Sequence, residues 1–506
     1  MANRDIRQMA VVGAGVMGAG IAQIASLAGV EVLLFDVREG VAQSARQSII
    51  ATLDRLVGKG KLDAASAHLA AQRLRSVSHI SELSDCQLVI EAIVENLEAK
   101  RALFAELEEV VTEDCLLATN TSSLSVTAIA AKCRVPARVG GFHFFNPVPL
   151  MKVVEVIDGL QSAAWVGETL LALGQRFGHV AVRAKDTPGF IVNHGGRGYG
   201  TEGMRILSES VLEPADLDRI LCEHAGFRMG PCALFDLTGL DVSHPVTESL
   251  YAQYYQEPRY RPTVITKQLY DAGLLGRKTA QGFYGYVDGV AQIPDEAPAP
   301  QVECMPPVWV SHARADARDA VVQLLTVLGA TLEHGVQPSA DALIVVLPLG
   351  DDATSSALNE GLDPQRTVAL DTLLPLARRR VLMTTVVTLP HWRDCAHALF
   401  SSDGMAVSVI RDSAGFVSQR VLAQVINVAC DMAQQRVATP TDIDQAIRLG
   451  LGYPQGPLSW GDAIGAQTIL QILEQLHSFY LDPRYRPSPW LKRRAKLELS
   501  LLSCEA

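Results

Sequence analysis

Two residues able to move a proton stand in one stretch, Gly141-Phe-His-Phe-Phe-Asn-Pro-Val-Pro-Leu-Met-Lys-Val-Val-Glu-Val-Ile157: His143 and Glu155. Glu155 is embedded in an apolar run, where a carboxylate is costly unless it is paired and hydrogen-bonded. His143 closes the preceding apolar run, and Asn146-Pro147-Val148-Pro149 can turn the chain back beside it. A buried carboxylate holding an imidazole fixes its tautomer and stabilises its charged form, which suits a base taking the proton from a hydroxyl. The competing use of the same residues is a satisfied core histidine beside a strand glutamate that faces solvent.

A second constellation is Gly13-Ala14-Gly15-Val16-Met17-Gly18, between a short apolar run and a helical pattern. In that context the first glycine makes a turn, the second lets a pyrophosphate approach the backbone, and the third lets helix and strand pack. Asp36 ends the next apolar run, where a carboxylate accepts ribose hydroxyls and repels a 2′-phosphate, so NAD is favoured over NADP. Asn120-Thr121-Ser122-Ser123 follows another run, at the sheet edge where ligands bind in such folds; Ser122 can hydrogen-bond a substrate oxygen or cap the stretch from Leu124. Asn193, just past Asp186, can reach into a cleft, and Thr52, Lys59 and Lys61 can meet phosphates; a solvated helix residue is the alternative for each.

These residues need a scaffold. Apolar runs at Met9–Val12, Val32–Phe35, Leu88–Ala92, Cys115–Ala118, Arg138–Phe142, Val153–Ile157 and His179–Val182 read as strands, and Glu98–Val111 as a helix between two of them. The alternation predicts an α/β, Rossmann-like, doubly wound domain over residues 1–185 with a mostly parallel sheet. Long helical periodicity then predicts a helical domain at 186–290, followed by a proline- and acid-rich linker at 291–307. Asp186-Thr-Pro-Gly-Phe190 recurs as Asp412-Ser-Ala-Gly-Phe416, Gly230-Pro231 as Gly456-Pro457, Asp236-Leu-Thr-Gly239 as Asp462-Ala-Ile-Gly465, and Glu257-Pro-Arg-Tyr-Arg-Pro262 as Asp482-Pro-Arg-Tyr-Arg-Pro487. Four matches in near-constant register predict a duplicated helical domain at 412–506. Runs at Ala342–Leu347, Thr367–Leu370, Val381–Thr388 and Met405–Ile410 predict a degenerate second α/β domain at 308–411 that has lost its glycine motif. Aligning Val139 with Val381 sets Thr385 opposite His143; an unrelated α/β insert is the alternative.

The composition excludes several classes. The 506 residues carry a formal charge of -11, which removes the electrostatic footprint of a nucleic-acid binder. Nine cysteines without a Cys-x-x-Cys pair point to reduced thiols in a cytoplasmic protein and to neither disulfides nor a metal site. No apolar run approaches the roughly 18 residues that span a bilayer, so no membrane partner is expected.

With Glu91-Ala-Ile-Val-Glu-Asn96, Thr119-Asn-Thr-Ser-Ser123, His143-Phe-Phe-Asn-Pro147, Lys152-Val-Val-Glu-Val156 and Asp186-Thr-Pro-Gly-Phe-Ile-Val-Asn193 added to the glycine motif, residues 8–290 closely resemble the 3-hydroxyacyl-CoA dehydrogenases. That resemblance implies an NAD-dependent enzyme with an acyl-CoA substrate, His143 as base and Glu155 as its partner. Ser122 and Asn193 would hold the substrate's 3-oxygen and the imidazole. Gly13, Gly15, Met17, Gly18, Asp36, Glu95, Lys100, Asn120, Asn146 and Lys278 would serve the cofactor, and Thr52 and Lys59 the CoA. The full length is similar to the long members of the family, some of which act on 3-hydroxyadipyl-CoA in phenylacetate catabolism; short-chain 3-hydroxybutyryl-CoA is the other substrate implied. Other classes left open are a non-catalytic dinucleotide-binding or structural protein and a dehydrogenase of free hydroxy acids. With both helical copies on one chain, a monomer is expected, or a dimer that avoids the helical-domain interface of short relatives. The run His194-Gly-Gly-Arg-Gly-Tyr-Gly200 departs from the family's apolar helix start; each glycine lowers helix propensity by roughly 1 kcal/mol, and a reshaped acyl pocket is expected beside Asn193.

Overall fold

The structure is a computed structural model that describes residues 4–505. Eight strands, β1 (Gln8–Val12), β2 (Glu31–Phe35), β3 (Leu74–Ser76), β4 (Leu88–Glu91), β5 (Leu116–Thr119), β6 (Val139–Phe144), β7 (Val153–Asp158) and β8 (Val180–Lys185), form one sheet in the order β3-β2-β1-β4-β5-β6-β7-β8. Every pair is parallel except β6–β7. Helices α1 (Val16–Leu27), α2 (Val41–Gly58), α3 (Ala64–Arg73), α4 (Leu97–Val110), α5 (Val126–Ala130) and α6 (Ala164–Arg176) cover the faces, and a single turn, α7 (Val192–Gly195), follows β8. The central strands are apolar throughout because both faces are buried: Met9, Val11 and Ile90 pack into one core and Ala10, Val89 and Leu117 into the other.

The first helical copy holds α8 (Arg197–Ser208), α9 (Pro214–Arg219), α10 (Pro231–Thr238), α11 (Leu240–Gln253) and α12 (Val264–Asp271), closed by a hairpin of β9 (Gly285–Val287) and β10 (Val290–Gln292). A second sheet follows, β11 (Val308–Val310), β12 (Leu332–Glu333), β13 (Leu343–Val346), β14 (Thr367–Leu370), β15 (Arg380–Thr384) and β16 (Val407–Ile410), in the order β12-β11-β13-β14-β15-β16, with α13 (Ala315–Val327), α14 (Ala353–Asn359) and α15 (Pro390–Phe400). The second helical copy is α16 (Ser418–Gln434), α17 (Pro440–Leu451), α18 (Pro457–Ile464), α19 (Ala466–Tyr480) and α20 (Pro489–Leu497). The chain divides into two compact bodies, one of residues through Gly195 with Met432–Gly452 and the last few residues, the other of Gly196–Asp431 with Tyr453–Ser503.

The internal repeat is visible in the backbone. Phe190 and Phe416 both adopt the left-handed conformation, at φ 49° and 50°. Asp186 accepts from Val126 N and Thr127 N at the start of α5, and Asp412 accepts from Ala353 N and Thr354 N at the start of α14. The copies are also exchanged. Lys185 N at the end of β8 donates to Val437 O of the second copy (2.8 Å), while Arg411 N, just past β16, donates to Val211 O of the first (3.1 Å).

Strand pairing corrects the alignment of the second sheet. β14–β15 is its antiparallel pair and thus the counterpart of β6–β7. Asp371, whose N–H donates to Val381 O, takes the place of His143, and Val381 that of Glu155. Thr385 lies beyond the end of β15, its hydroxyl donating to Pro364 O (2.7 Å). Between β11 and α13 the chain reads Ser311-His-Ala-Arg314, without a glycine turn. Among the described residues, no helix is long and apolar enough to cross a membrane.

The glycine-rich run has a packing role. A Cβ on Gly195 would lie 2.4 Å from Ile447 Cδ1, and one on Gly198 would lie 3.0 Å from Val425 Cα and 3.1 Å from Gln424 O. Side chains at these positions would force the repeated helices apart. The helix propensity given up there is the cost of that close approach.

Candidate active site

The turn between β1 and α1 has the shape of an anion cradle. Gly13 (φ 98°) has no room for a Cβ, which would fall 2.5 Å from Ala92 O; one on Gly18 would fall 1.8 Å from Gly13 O. Gly15 differs: nothing lies within 4 Å of its Cβ position, and as N-cap of α1 it offers no side-chain cap. The first N–H groups of α1 thus face open space beside a backbone that a phosphate can touch, which fits a dinucleotide. Met17 is partly buried in the first turn of α1, against the core. Asp36 Oδ2 accepts from Ala14 N (2.9 Å), which ties the acid to the turn. Arg38 grips the same carboxylate through its N–H and Nε, both 3.0 Å from Oδ1, and Nη2, 3.1 Å from Oδ2. The guanidinium holds the Asp36 carboxyl below its ordinary range against the opposing effect of burial.

The β4–α4 and β5–α5 loops meet around Glu95. Its Oε1 accepts from Thr121 Oγ1 (2.7 Å), Ser122 N (2.9 Å), Ser123 N (3.0 Å) and Ser123 Oγ (2.9 Å), with Ser122 Oγ at 3.3 Å. Burial pushes this carboxyl up, but the Thr121 hydroxyl, the Lys100 ammonium and the serine donors outweigh it and hold the group at about 2. Lys100 is 1 % exposed, with Nζ 2.6 Å from Glu91 Oε1 and 3.3 Å from Glu95 Oε2. Glu91 also accepts from Thr119 Oγ1 (2.6 Å) and Ile93 N (2.7 Å). The loop that presents Ser122 is thus held from beneath by a buried ionic network.

His143 and Glu155 are register partners across the antiparallel β6–β7 pair, and His143 Nδ1 lies 2.6 Å from Glu155 Oε2. Glu155 is fully buried and His143 is 4 % exposed. The other oxygen, Glu155 Oε1, accepts from Ile191 N (2.8 Å) and Val192 N (2.9 Å) at the start of α7, so the carboxylate is satisfied on both sides. Asn120 Oδ1 accepts from Phe144 N (2.8 Å) and fixes β6 beside the loop. The rings of Phe145 and Phe190 lie 4.4 and 5.7 Å from the imidazole. Asn193, in α7, donates through Nδ2 to Ser122 O (3.3 Å). Clamping Nδ1 leaves Nε2 as the ring nitrogen able to exchange a proton with a bound group.

Gly13, Gly15, Gly18 and Asp36 form one group, and His143, Glu155, Ser122, Asn193, Asn120, Glu95 and Lys100 another, all in the first body. Asn146 is exposed in the turn after β6. Thr52 lies within α2 with its hydroxyl on Ser48 O (2.9 Å), and exposed Lys59 caps the end of that helix. Lys278 belongs to the second body, ion-paired there with Asp241. Sequence reasoning missed the donors Ile191 and Val192, Glu91 and Thr119 beneath Lys100, and Arg38 on Asp36. Glu91, a carboxylate closing an apolar run, carried a usable signal; backbone donors carry none.

Fold and site together define a dinucleotide-binding oxidoreductase with a buried histidine–carboxylate pair beside its sheet edge. The chain belongs to the 3-hydroxyacyl-CoA dehydrogenase family and is an NAD-binding oxidoreductase of that family: the profile of the family's NAD-binding domain matches residues 8–187 and that of its C-terminal domain matches twice, at 189–286 and 415–500. It is 38% identical over 502 residues to 3-hydroxyadipyl-CoA dehydrogenase of Escherichia coli K12, covering 98% of each chain. It is 37% identical over 283 residues to 3-hydroxybutyryl-CoA dehydrogenase of Mycobacterium tuberculosis H37Rv, covering 56% of this chain and 99% of that one. The crystal structure of 3-hydroxybutyryl-CoA dehydrogenase from E. coli K12 superposes with a TM-score of 0.85 at 37% identity, over 98% of this chain and 99% of that one.

Proposed function

We propose that the chain catalyses the reversible oxidation of an L-3-hydroxyacyl-CoA to the 3-ketoacyl-CoA, with 3-hydroxyadipyl-CoA and 3-hydroxybutyryl-CoA as its first substrates to test. The observation that carries this reading is the His143–Glu155 pair, doubly clamped by α7 in the same body as an open glycine cradle. Gly13, Gly15, Gly18 and Asp36 would hold NAD, which supplies the hydride acceptor for C3. His143 Nε2 takes the hydroxyl proton as the hydride leaves, and Glu155 balances the developing imidazolium. Ser122 and Asn193 orient the 3-oxygen and the imidazole, Glu95 and Lys100 hold the loop carrying Ser122, and Thr52 and Lys59 meet the CoA.

One active site serves each chain in this reading, since Asp371 and Val381 replace the dyad in the second sheet. The helical face of the first copy is covered in cis: Arg259 pairs with Asp431 (2.7 Å) and Arg420 with Glu202 (2.8 Å) across the two copies. A monomer, or a dimer built through another face, follows. Nine free thiols fit a reducing cytoplasm. A spectrophotometric assay of NADH consumption with acetoacetyl-CoA tests the reaction, with the free acid as control for the CoA requirement. His143→Ala should abolish turnover and leave NADH binding intact; turnover at the parent rate would refute the assignment.

A further inference from the structure

We infer that Gly450 and Ile447, from the second helical copy, are positioning residues for the His143–Glu155 dyad; the inference rests on the proton-transfer role proposed above for His143. Glu155 takes its two backbone donors from Val192, the first residue of the single-turn helix α7, and from Ile191 just before it; so short a helix cannot hold its own position. What packs on that turn decides where the donors sit. α17 lies against α7, β7 and β8, within the same compact body.

The fit is tight. A Cβ on Gly450 would fall 2.8 Å from both Val192 Cγ1 and Cγ2. Three residues earlier on α17, Ile447 Cδ1 and Cγ1 lie 2.4 and 2.8 Å from where a Cβ of Gly195 would sit. The two ends of α7 thus meet α17 through one glycine from each side, and Lys185 N on Val437 O pins the neighbouring strand. Val192 is β-branched and buried, so it has little rotamer freedom with which to evade a new methyl group. An intrusion at Gly450 passes to the Val192 backbone and lengthens its bond to Glu155 Oε1.

The repeat supplies an internal comparison. Gly450 and Val192 correspond to His224 and Ser418 in the other copies, where His224 Nδ1 and Ser418 Oγ share a hydrogen bond (2.9 Å). There Val381 stands in the place of Glu155, so the strand position that meets this turn has no carboxylate to accept from its backbone N–H groups; the buried Asp371 is held instead by the side chain of Gln419 (2.9 Å) and by Leu373 N (3.0 Å). The glycine is kept where backbone N–H groups of the packed turn hold a carboxylate, and a bulky imidazole stands where an apolar Val381 lies opposite them.

The test is Gly450→Ala, read by the pH dependence of kcat for hydroxyacyl oxidation and by the titration midpoint of the 15N-labelled His143 ring. Weaker donors leave more charge on Glu155 and stabilise the imidazolium, so both midpoints should move to higher pH by about half a unit or more. kcat should fall about tenfold, with NADH affinity unchanged. Adding Val192→Ala, which removes the clashing methyls, should restore midpoint and rate. Unmoved or lowered midpoints in Gly450→Ala, or no recovery in the folded double variant, overturn the inference. If Gly450→Ala yields no folded protein, Ile447→Ala carries the test, with the same upward shift expected and an unchanged midpoint overturning it. The ring titration needs no turnover. A parent chain inactive on every acyl-CoA would therefore sink the proposed function while leaving the packing claim open to its own refutation.

Discussion

His143 and Glu155 face each other across the one antiparallel pairing in the eight-stranded sheet, at 2.6 Å. Their hydrogen bond is a cross-strand contact between two buried positions, so register as well as side-chain choice sets its geometry.

Glu155→Gln keeps an acceptor for Ile191 N and Val192 N and turns the other end into a donor. His143 would then carry its proton on Nε2, the nitrogen assigned to the substrate hydroxyl. The expected result is a loss of kcat of roughly 10²- to 10⁴-fold, with NADH binding by fluorescence and thermal midpoint near those of the parent. A change in kcat below twofold would mean that the carboxylate does not set the tautomer.

Lys100 and Glu91 form an ion pair with both partners at or below 1 % exposure. Lys100→Met leaves Glu91 buried and uncompensated, a loss of about 3–5 kcal/mol in urea unfolding of the holo-size chain. Adding Glu91→Met should recover much of it, because a neutral pair removes the orphaned charge. A single variant as stable as the parent would show that the pair is already neutral.

Glu95 titrates at about 2 against an ordinary 4.5. A depressed carboxyl stabilises the fold above the unfolded-state value, and that contribution drains as pH falls from about 4.5 towards 2. The stability gap between the parent and Glu95→Gln should therefore be widest near neutrality and narrow through this window. A gap independent of pH between neutrality and pH 3 would remove Glu95 as a charged anchor of the Thr121–Ser123 loop.

The thiols divide by exposure. Burial pushes Cys86, Cys133 and Cys222 up to about 11 and Cys115 to about 12, whereas Cys304 and Cys504 are exposed. Since the thiolate is the reactive form, a disulfide-exchange reagent at pH 8 should label two cysteines of the folded chain quickly and the rest only on unfolding. Rapid labelling at Cys115 would contradict the buried core.

Much of this architecture is written in local pattern. Buried parallel strands are unbroken apolar runs, so β1, β2, β4, β5, β7 and β14 stand within a residue or so of their sequence boundaries, and the turn residues after β6 foretell its antiparallel partner. What stayed hidden depends on distant partners. β3 has three residues with Arg75 exposed, and β12 has two, too few for a period to register. The second sheet was misaligned because Asp371 and Val381 retain nothing of the dyad's chemistry, leaving only strand pairing to place them. The glycines at 195 and 198 lower helix propensity locally, and the close packing they permit is against Ile447 and Val425, more than two hundred residues away.

The exchange of α17 onto the first sheet, matched by Arg411 N on Val211 O in the second, makes the chain a covalent pair of interlocked halves. Meeting of the halves is then unimolecular, and dilution cannot separate them. Under that tether, drift at Asp371 and Val381 costs no chemistry so long as the shape of the second half persists.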